Sequence, residues 1–520
     1  MLDFDNLPAV ETLTDKEALD IIAQMVDHAH DTDDLELTSM ALSWCQHLDG
    51  RALTEKRRML LDYYRANAWG HRQHQRRKSP KAAWEWDQEE VEKQILFLRR
   101  ALNNPAHHEL SVLRQCQILT NLGNLLDTAG RFIEARALWT DALRKNPDFW
   151  MARGNRGRGL MGYANALYDG GHKAVFALTA HGELLGAVRD LDQRPEFGDP
   201  KLRPYFQNAA DRIAEYYKLE TIAEDFRPED HEIVDAPSEG QYQRWCLREC
   251  LYLNPLNDAF TQAVAAQDVL HLPSFITSID EPPTLIGLFN QMKQEFVSAR
   301  WMYYDGMTSD SVHHSDHRVL LYNTLDYPAF GLAIEQLKIA FRMSYSLLDK
   351  IAYFLNRYLK LGIPEKRISF RTIWRDKPSA PLRAQFAKSE NLPFRGLYWL
   401  SKDLYEKHFD EVADPDAREL AELRNHLEHK YVKVLTMKRP PRAKTTTFAD
   451  PFFDDFAHVL TLDDLERRAL RLLKLSRAAL IYLSLGMHVE EQRRRDDTHS
   501  NTRTAPMKLH VFDDERKRRY

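Results

Sequence analysis

The chain has 520 residues, of which 43 % are hydrophobic and 29 % are charged, and its formal net charge is −5. This composition is typical of a globular protein and excludes a disordered or collagen-like chain. The small negative charge excludes nucleic-acid binding by the surface as a whole, so such binding would need local basic patches. The length predicts about two to four domains.

The compartment is predicted from what the sequence lacks. Residues 1–5 are acidic and have neither the basic nor the apolar region of a signal peptide. The apolar stretch 478–487 is shorter than the roughly 20 residues that a membrane span needs. Four scattered cysteines suit a reducing compartment. We therefore expect a cytoplasmic protein that does not contact a membrane.

Residues 116–149 match the pattern of a tetratricopeptide repeat. In this pattern small residues stand where two antiparallel helices touch, a glycine makes the turn, and a proline ends the second helix. The residues that carry it are Leu122, Gly123, Leu126, Gly130, Phe132, Ala135, Trp139, Ala142 and Pro147. A single repeat cannot bury its apolar face, so degenerate neighbours are expected. The prediction is a helical-repeat region over residues 1–225, with an α-solenoid from about residue 15.

Two further features concern a possible nucleotide site within this region and the place where the region ends. Residues 157–162 spell G-x-G-x-x-G, but a helix and not a strand is predicted upstream, which argues against a dinucleotide site. The arginines around it are assigned to a solvated face, with phosphate contact as the alternative. Residues 226–240 are acidic and rich in helix breakers, which predicts a linker there.

The second half of the chain is predicted to be helical as well. Apolar residues at a spacing of three or four indicate helices over 285–304 and 332–361. Asp414 and Pro415 suit the start of another helix, whose apolar stripe is Leu420, Leu423, Leu427, Tyr431 and Val434. A capping box over 461–464 predicts the start of a last long helix. The fold class is all-α.

Residues 424–431 hold the most reactive set of side chains in the sequence. In the predicted helix Asn425 and His429 share a face, Lys433 lies one turn beyond, and Arg424 stands about 100° from Asn425. Histidine can act as acid or base near pH 7, and arginine binds phosphate through two hydrogen bonds. This set suits RNA cleavage by transesterification, which needs no metal and no cofactor. A hydrogen-bonded helix interior without catalysis is the alternative.

A metal site is the alternative to the ribonuclease site as the source of chemical activity. His313, His314 and His317 stand close in sequence beside Asp316, which would give ligands if the stretch were helical. Its serine and aspartate content indicates a loop instead. Cys246 and Cys250 could supply half of another site, but no second pair completes it. No metal is therefore predicted.

The C-terminal half resembles the LA2681-like HEPN family. The matching segments are residues 242–247, 253–258, 289–300, 348–354, 397–404 and 424–431. Together they span roughly residues 240–490, nearly half of the chain, and place a HEPN helical bundle over residues 241–490, followed by a charged tail over 491–520.

This resemblance implies a fold and an activity. HEPN proteins are helical bundles that commonly dimerise, and many are metal-independent ribonucleases of phage-defence or toxin–antitoxin systems. Arg424 and His429 are implied as catalytic, Asn425 as a supporting residue and Asp349 as a further partner. Asp349 has an alternative role, which is to pair with Lys350 or Arg342.

The remaining expectations concern partners. RNA would be held by basic residues near the motif, namely Lys433, Lys438, Arg439, Arg442 and Lys444. Tyr431 is a candidate for modification, as in HEPN toxins of this motif form, with packing as the alternative role. The expected protein is a homodimeric endoribonuclease whose repeat half senses a trigger or binds a protein partner. The alternative function is a non-catalytic scaffold that binds protein or nucleotide partners.

Overall fold

The structure is a computed structural model that describes residues 4–278, 280–377, 379–405, 415–436, 456–497, 505–514 and 517. It is 70 % helical and confirms the all-α prediction. Over the described ranges it contains nineteen α-helices and one sheet of two strands.

The helices before the predicted linker are α1 (Asp15–Thr32), α2 (Leu35–Asp49), α3 (Glu55–Arg77), α4 (Pro80–Trp84), α5 (Glu89–Asn103), α6 (Val112–Thr128), α7 (Phe132–Lys145), α8 (Trp150–Ala166), α9 (Gly170–Gln193), α10 (Arg203–Tyr216) and α11 (Leu219–Asp225). They pack mainly against their neighbours in sequence, as stacked helical hairpins do. Helices α1–α3 enclose a small apolar cluster of their own.

The later elements are α12 (Pro237–Arg248), α13 (Leu256–Ala259), α14 (Thr284–Thr308), α15 (Leu332–Tyr358), α16 (Ala384–Ala387), α17 (Leu392–Tyr405), α18 (Pro415–His429), β1 (Tyr431–Leu435), β2 (Ala457–Thr461) and α19 (Leu462–Asp497). The strands are parallel, with Tyr431 opposite Ala457. Helices α14, α15 and α19 pack on one another and form the centre of this half.

The predicted repeat is a helix pair, α6 and α7. Gly123 on α6 faces the indole of Trp139 on α7 so closely that any side chain there would collide with it. Gly130 makes the turn with a φ of +88°, a conformation that glycine adopts without strain. The helix pair thus agrees with the sequence reasoning, while its assignment to the tetratricopeptide family remains a prediction.

The G-x-G-x-x-G stretch lies inside α8 and forms no phosphate-binding loop. Gly157 packs against α9, and Gly159 packs against Trp139 of α7. The neighbouring arginines contact protein groups. Arg153 and Arg156 pair with Asp190 and Glu183, each at 2.6 Å.

One apolar core joins the two halves of the chain. Its buried residues run from Met59 to Met487, on both sides of the predicted linker. Residues 226–236 contain no α-helix, whereas α12 begins at Pro237, inside the predicted linker. The linker therefore interrupts the helices and does not separate the cores.

Helix α17 lies at the contact between the halves and is buried on all sides from Pro393 to Leu404. Gly396 lies against Gly130 so closely that no side chain fits at either position. Asp403 receives two hydrogen bonds from Arg99 of α5, at 2.9 and 2.7 Å, and a further one from Arg131. We call the contact of α17 with α3–α7 the α17 seam.

The seam contains a second set of ion pairs. Lys402 pairs with Asp87 at 2.7 Å and with Glu92 at 2.9 Å. The side chain of Lys402 is only 4 % exposed, so the lysine in these pairs is largely shielded from water. The indole N–H of Trp86 donates to the carbonyl of Ser389 at 2.8 Å. The N-terminal helices are therefore held to α17 by buried charges as well as by apolar packing.

Helix α19 is long and apolar enough to cross a membrane by length and composition. Of its most apolar window, 83 % is buried within the described part of the protein. Its central turn is buried because other helices surround it, as expected for a core helix. The helix continues past Glu491 to Asp497, so the predicted tail begins later than the sequence indicated.

Candidate functional site

The motif helix α18 begins at Pro415, as predicted from the proline, and packs through Leu420, Leu423 and Leu427, each at most 5 % exposed. Its end is attached to α15, because Arg342 donates a hydrogen bond to the carbonyl of Leu427. The last carbonyls of a helix have no partner within the helix, so this bond stabilises the end of α18.

The guanidinium of Arg424 lies over the ring of Tyr345 on α15, 5.4 Å from the ring centre. Tyr405 at the end of α17 meets Tyr345 edge to face, with ring centres 6.0 Å apart. Burial raises the pKa of Tyr345 to about 12, and the charge of Arg424 opposes this rise. Burial also raises the pKa of Tyr405 well above its usual value. Arg424 therefore lies over one neutral aromatic ring, which packs against a second, and is itself half-buried.

Asp349 lies one turn after Tyr345 on α15, and its negative charge acts on both Tyr345 and Tyr405. The structure thus brings Asp349 to the same cluster as Arg424. Its Oδ1 accepts a hydrogen bond from the backbone N–H of Phe370 at 2.9 Å. That bond fixes the loop before α17 against α15.

Neither Lys350 nor Arg342, the basic residues predicted as alternative partners of Asp349, pairs with it. Lys350 pairs with Glu295 of α14. Arg342 bonds the end of α18 and lies 3.9 Å from Glu428.

Asn425 is exposed, and its Oδ1 accepts a hydrogen bond from Nη1 of Arg424 at 3.3 Å. His429 is the last residue of α18, and its side chain lies outside the described residues. Positions 424 and 429 lie five residues apart on α18, which corresponds to a rotation of about 140° around the helix axis. Within one chain the helix by itself therefore does not place the two positions on the same face.

The predicted continuation of α18 through Val434 is wrong. The helix ends at His429, and Tyr431, Lys433 and Val434 belong to strand β1. Residues 431–436 include a tyrosine and three β-branched residues, which favour a strand. Pairing with β2 stabilises this strand.

Lys433 is consequently not an exposed RNA contact. Its ammonium group pairs with Asp326 at 2.8 Å, and the two side chains are 5 % and 3 % exposed. A lysine paired this deeply is held in the fold and does not reach a phosphate at the surface.

The other predicted RNA contacts, Lys438, Arg439, Arg442 and Lys444, lie outside the described residues. Tyr431 is half-buried, and its ring lies 6.4 Å from the ring of Phe456. Trp374 and Trp399 are 2 % and 1 % exposed and belong to the core.

The sequence reasoning missed the residues that surround Arg424. Tyr345 shares a helix face with Asp349 four residues later, and that spacing was the available signal. Arg371 is exposed, and its charge acts on Tyr345 alongside that of Arg424. Two guanidinium groups therefore lie near one aromatic ring.

A pair of histidines was missed as well. The rings of His426 on α18 and His458 on β2 lie face to face, 4.5 Å apart and inclined by 30°. Burial lowers the pKa of His458, and the charges of His426 and Arg468 lower it further. His426 faces the opposite side of α18 from Arg424, so the pair does not belong to the Arg424 cluster.

The alternative metal site does not form among the described residues, which contain no group of three or more potential ligands. Asp316 accepts a hydrogen bond from the backbone N–H of Leu332 at 2.8 Å and so supports the start of α15. His313 bonds Ser315 at 2.7 Å. Cys246 is buried in α12, whereas Cys250 follows the end of that helix.

Comparison with known families supports a HEPN domain. Residues 276–490 match the family model described as LA2681-like HEPN. The match includes α14, α15, α17, α18 and α19 and begins after residues 241–275 of the predicted domain. No curated protein and no solved structure matches the chain. A HEPN domain over residues 276–490 favours a nuclease or nucleotide-related role.

Proposed function

We propose that this protein is a metal-independent endoribonuclease whose Arg424 and His429 act on the scissile phosphate of RNA. The observation that carries the proposal is the state of Arg424, which is fixed over Tyr345 and bonded to an exposed asparagine. It forms no ion pair with a carboxylate in the described part of the chain, so its charge is available to an anion. This arrangement lies inside the segment that matches the HEPN family.

The reaction assigned to the site is transesterification. The 2′-oxygen of a ribose attacks the adjacent phosphorus, the bond to the 5′-oxygen breaks, and a 2′,3′-cyclic phosphate and a 5′-hydroxyl form. His429 moves the proton between these oxygens, since an imidazole can hold or release one near pH 7. Arg424 stabilises the charge that develops on the phosphoryl oxygens, and Asn425 orients Arg424.

A homodimer completes the site in this proposal. Positions 424 and 429 lie on different faces of α18, so in this proposal a second copy of the helix brings an arginine of one protomer near a histidine of the other. Two histidines would then serve as base and acid.

The segment before α15 supports such pairing. Its apolar side chains are more than half exposed, namely Val312, Val319, Leu320, Leu321, Tyr322, Leu325, Tyr327 and Phe330. Together they expose on the order of 1,000 Å², more than the largest apolar patch of most monomers and about one partner's share of a standard interface. We call residues 312–330 the apolar strap and assign it to the second copy of this chain.

The strap lies beside the motif because it is attached to β1. The backbone N–H of Ala329 donates to the carbonyl of Val434 at 2.7 Å, and Asp326 pairs with Lys433 of the same strand. A dimer formed through the strap would therefore place the two copies of α18 near each other.

We assign regulation to the N-terminal helices and place the enzyme in a bacterial anti-phage or toxin–antitoxin system. The α17 seam supports this assignment, because α17 contacts the N-terminal helices along its length and ends at Tyr405 beside Tyr345. A trigger or protein partner bound to α1–α11 would act on Arg424 through this helix.

The test compares wild type, Arg424→Ala, His429→Ala and the exposed-arginine control Arg367→Ala for cleavage of total cellular RNA in EDTA. Wild type and the control should leave 2′,3′-cyclic phosphate ends. His429→Ala should lose roughly 100- to 10,000-fold in rate, the usual contribution of a general acid or base. Arg424→Ala should lose roughly 100- to 1,000-fold, as expected for a group that stabilises an oxyanion.

Two results would contradict the proposal. Equal cleavage by wild type and both motif variants would assign the activity to another site. A wild type that cuts no RNA, even in cells under phage challenge, would favour the non-catalytic scaffold.

A further inference from the structure

The arginine at position 395 is buried without a charge partner. It lies in the second turn of α17, inside the α17 seam, and is 2 % exposed. Its Nη1 donates to the carbonyl of Ala83 on α4 at 3.4 Å. Its Nε and Nη2 atoms are also buried and have no hydrogen-bond partner in the described part of the chain. Buried polar groups in proteins are nearly always bonded, so these two donors call for a ligand.

Other buried arginines of the protein do face carboxylates. Arg99 pairs with Asp403 at 2.7 Å, Arg300 with Asp268 at 2.8 Å and Arg477 with Asp258 at 2.7 Å. Among the described residues no carboxylate lies within ion-pair distance of Arg395.

The charges around Arg395 are unfavourable to it. Burial, and to a smaller extent the charge of Arg77, lower its pKa to about 10. At neutral pH it still carries a full positive charge. An uncompensated buried charge is strongly destabilising, and a bound anion would remove the penalty.

The two unbonded atoms form one edge of the guanidinium group. Their N–H bonds are parallel and spaced to meet two oxygens of a single oxyanion. A second guanidinium, that of Arg77 at the end of α3, lies near enough to repel Arg395. Arg77 is exposed, and its Nη2 donates to Thr128 at the end of α6 at 2.6 Å. Two neighbouring positive charges match a phosphate better than a singly charged carboxylate.

We propose that Arg395 and Arg77 bind the phosphate group of a small molecule within the α17 seam. Arg395 holds two oxygens of the phosphate through Nε and Nη2, and Arg77 contacts the phosphate from the solvent side. The ligand joins groups of α3, α4 and α6 to α17, so it strengthens the attachment of the N-terminal helices to the HEPN region. This site is separate from Arg424 and does not depend on RNA cleavage.

The experiment measures binding and thermal unfolding of the full chain with inorganic phosphate, with a nucleoside 5′-monophosphate and with sodium chloride of equal ionic strength. The variants are Arg395→Met, which keeps the bulk and removes the charge, and Arg77→Ala. Arg99→Met is the matched control, since that arginine is also buried, at 6 % exposure, but has a carboxylate partner.

Wild type should bind a phosphate compound and unfold at a higher temperature in its presence. Arg395→Met should weaken binding by roughly 10- to 100-fold, the effect of losing hydrogen bonds to a charged group. In phosphate-free buffer it should unfold at a higher temperature than wild type, because an unpaired buried charge has been removed. Arg77→Ala should keep the wild-type unfolding temperature and bind phosphate more weakly. Arg99→Met should unfold at a lower temperature.

Several outcomes would overturn the proposal. They are no binding of either phosphate compound to wild type, an equal response of wild type and Arg395→Met, and an Arg395→Met variant that unfolds earlier than wild type and still binds. Binding of the nucleotide alone would identify a nucleotide as the source of the phosphate, and equal binding of both would identify free phosphate. Arg424→Ala should bind like wild type, so failure of the nuclease proposal would leave this result unaffected.

Discussion

At the residue scale the candidate site depends on how Arg424 is held. Its guanidinium lies over Tyr345, a ring that is itself packed against Tyr405. An arginine stacked on an aromatic ring loses freedom but keeps its charge and most of its hydrogen-bond donors. The ring can therefore fix the direction in which the donors point toward a phosphate.

This arrangement gives a prediction for Tyr345, provided that the protein cleaves RNA. Tyr345→Phe should cleave at nearly the wild-type rate because the ring remains. Tyr345→Leu should lose roughly 3- to 30-fold in the single-turnover rate, since a partly buried cation–π contact contributes on the order of 1–2 kcal/mol. Tyr353→Leu on the same helix is the control, as its side chain is 37 % exposed. Wild-type cleavage by Tyr345→Leu would show that the ring does not position Arg424.

At the scale of elements α17 is the link between the two halves. Its last turn carries Asp403, whose carboxylate is 5 % exposed and receives hydrogen bonds from Arg99 and Arg131. Burial by itself would raise the pKa of Asp403, but the charges of Arg131 and Arg99 hold it well below its usual range. The stability of the seam therefore depends on the ionised form of this residue.

Asp403→Asn should lower the free energy of unfolding by about 3–5 kcal/mol at pH 7, because two buried arginines lose their common anion. The folded pKa is lowered, so the contribution of Asp403 is present above the unfolded value of about 3.9 and is lost as the pH falls through the folded value. The difference between wild type and variant should thus stay constant from about pH 7 to 5 and shrink below about pH 4. Urea unfolding at a series of pH values measures it.

The exposed variant Asp376→Asn is the control for this series, since that carboxylate is 75 % exposed and should contribute little. An Asp403→Asn protein as stable as wild type at pH 7 would show that the seam does not need the charge.

At the scale of the whole molecule the apolar strap is the exposed surface that most needs a partner. Leu320 is 77 % exposed within one chain, so Leu320→Glu should leave the folded monomer intact and disrupt the dimer. We expect light scattering after gel filtration to give twice the chain mass for wild type and the chain mass for the variant. Cleavage of RNA should fall together with the dimer.

Val511→Glu is the matched control, since that side chain is 95 % exposed in a different part of the chain. It should behave as wild type in both measurements. A wild type that is monomeric at all concentrations and still cleaves RNA would contradict the two-histidine scheme.

Much of the fold follows from local sequence. The spacing of apolar residues predicted α14 and α15, the capping box over 461–464 predicted the start of α19, and Asp464 indeed donates its backbone N–H to Thr461. Such signals are readable because caps and helix faces involve residues only three or four positions apart. The end of α18 was not readable in this way. The strand that follows it exists because β2, distant in sequence, supplies the backbone partners.

The features of the candidate site also fall into those that the sequence predicts and those that depend on tertiary contacts. The sequence by itself determined an all-α chain and the residues of the motif, Arg424, Asn425 and His429, because residue identity and helical spacing are local properties. Only the tertiary structure decided that Arg424 rests on Tyr345, that Lys433 is buried against Asp326, and that Arg395 lacks a carboxylate. These are contacts between residues far apart in the chain, and burial and charge balance depend on which distant groups the packing brings together.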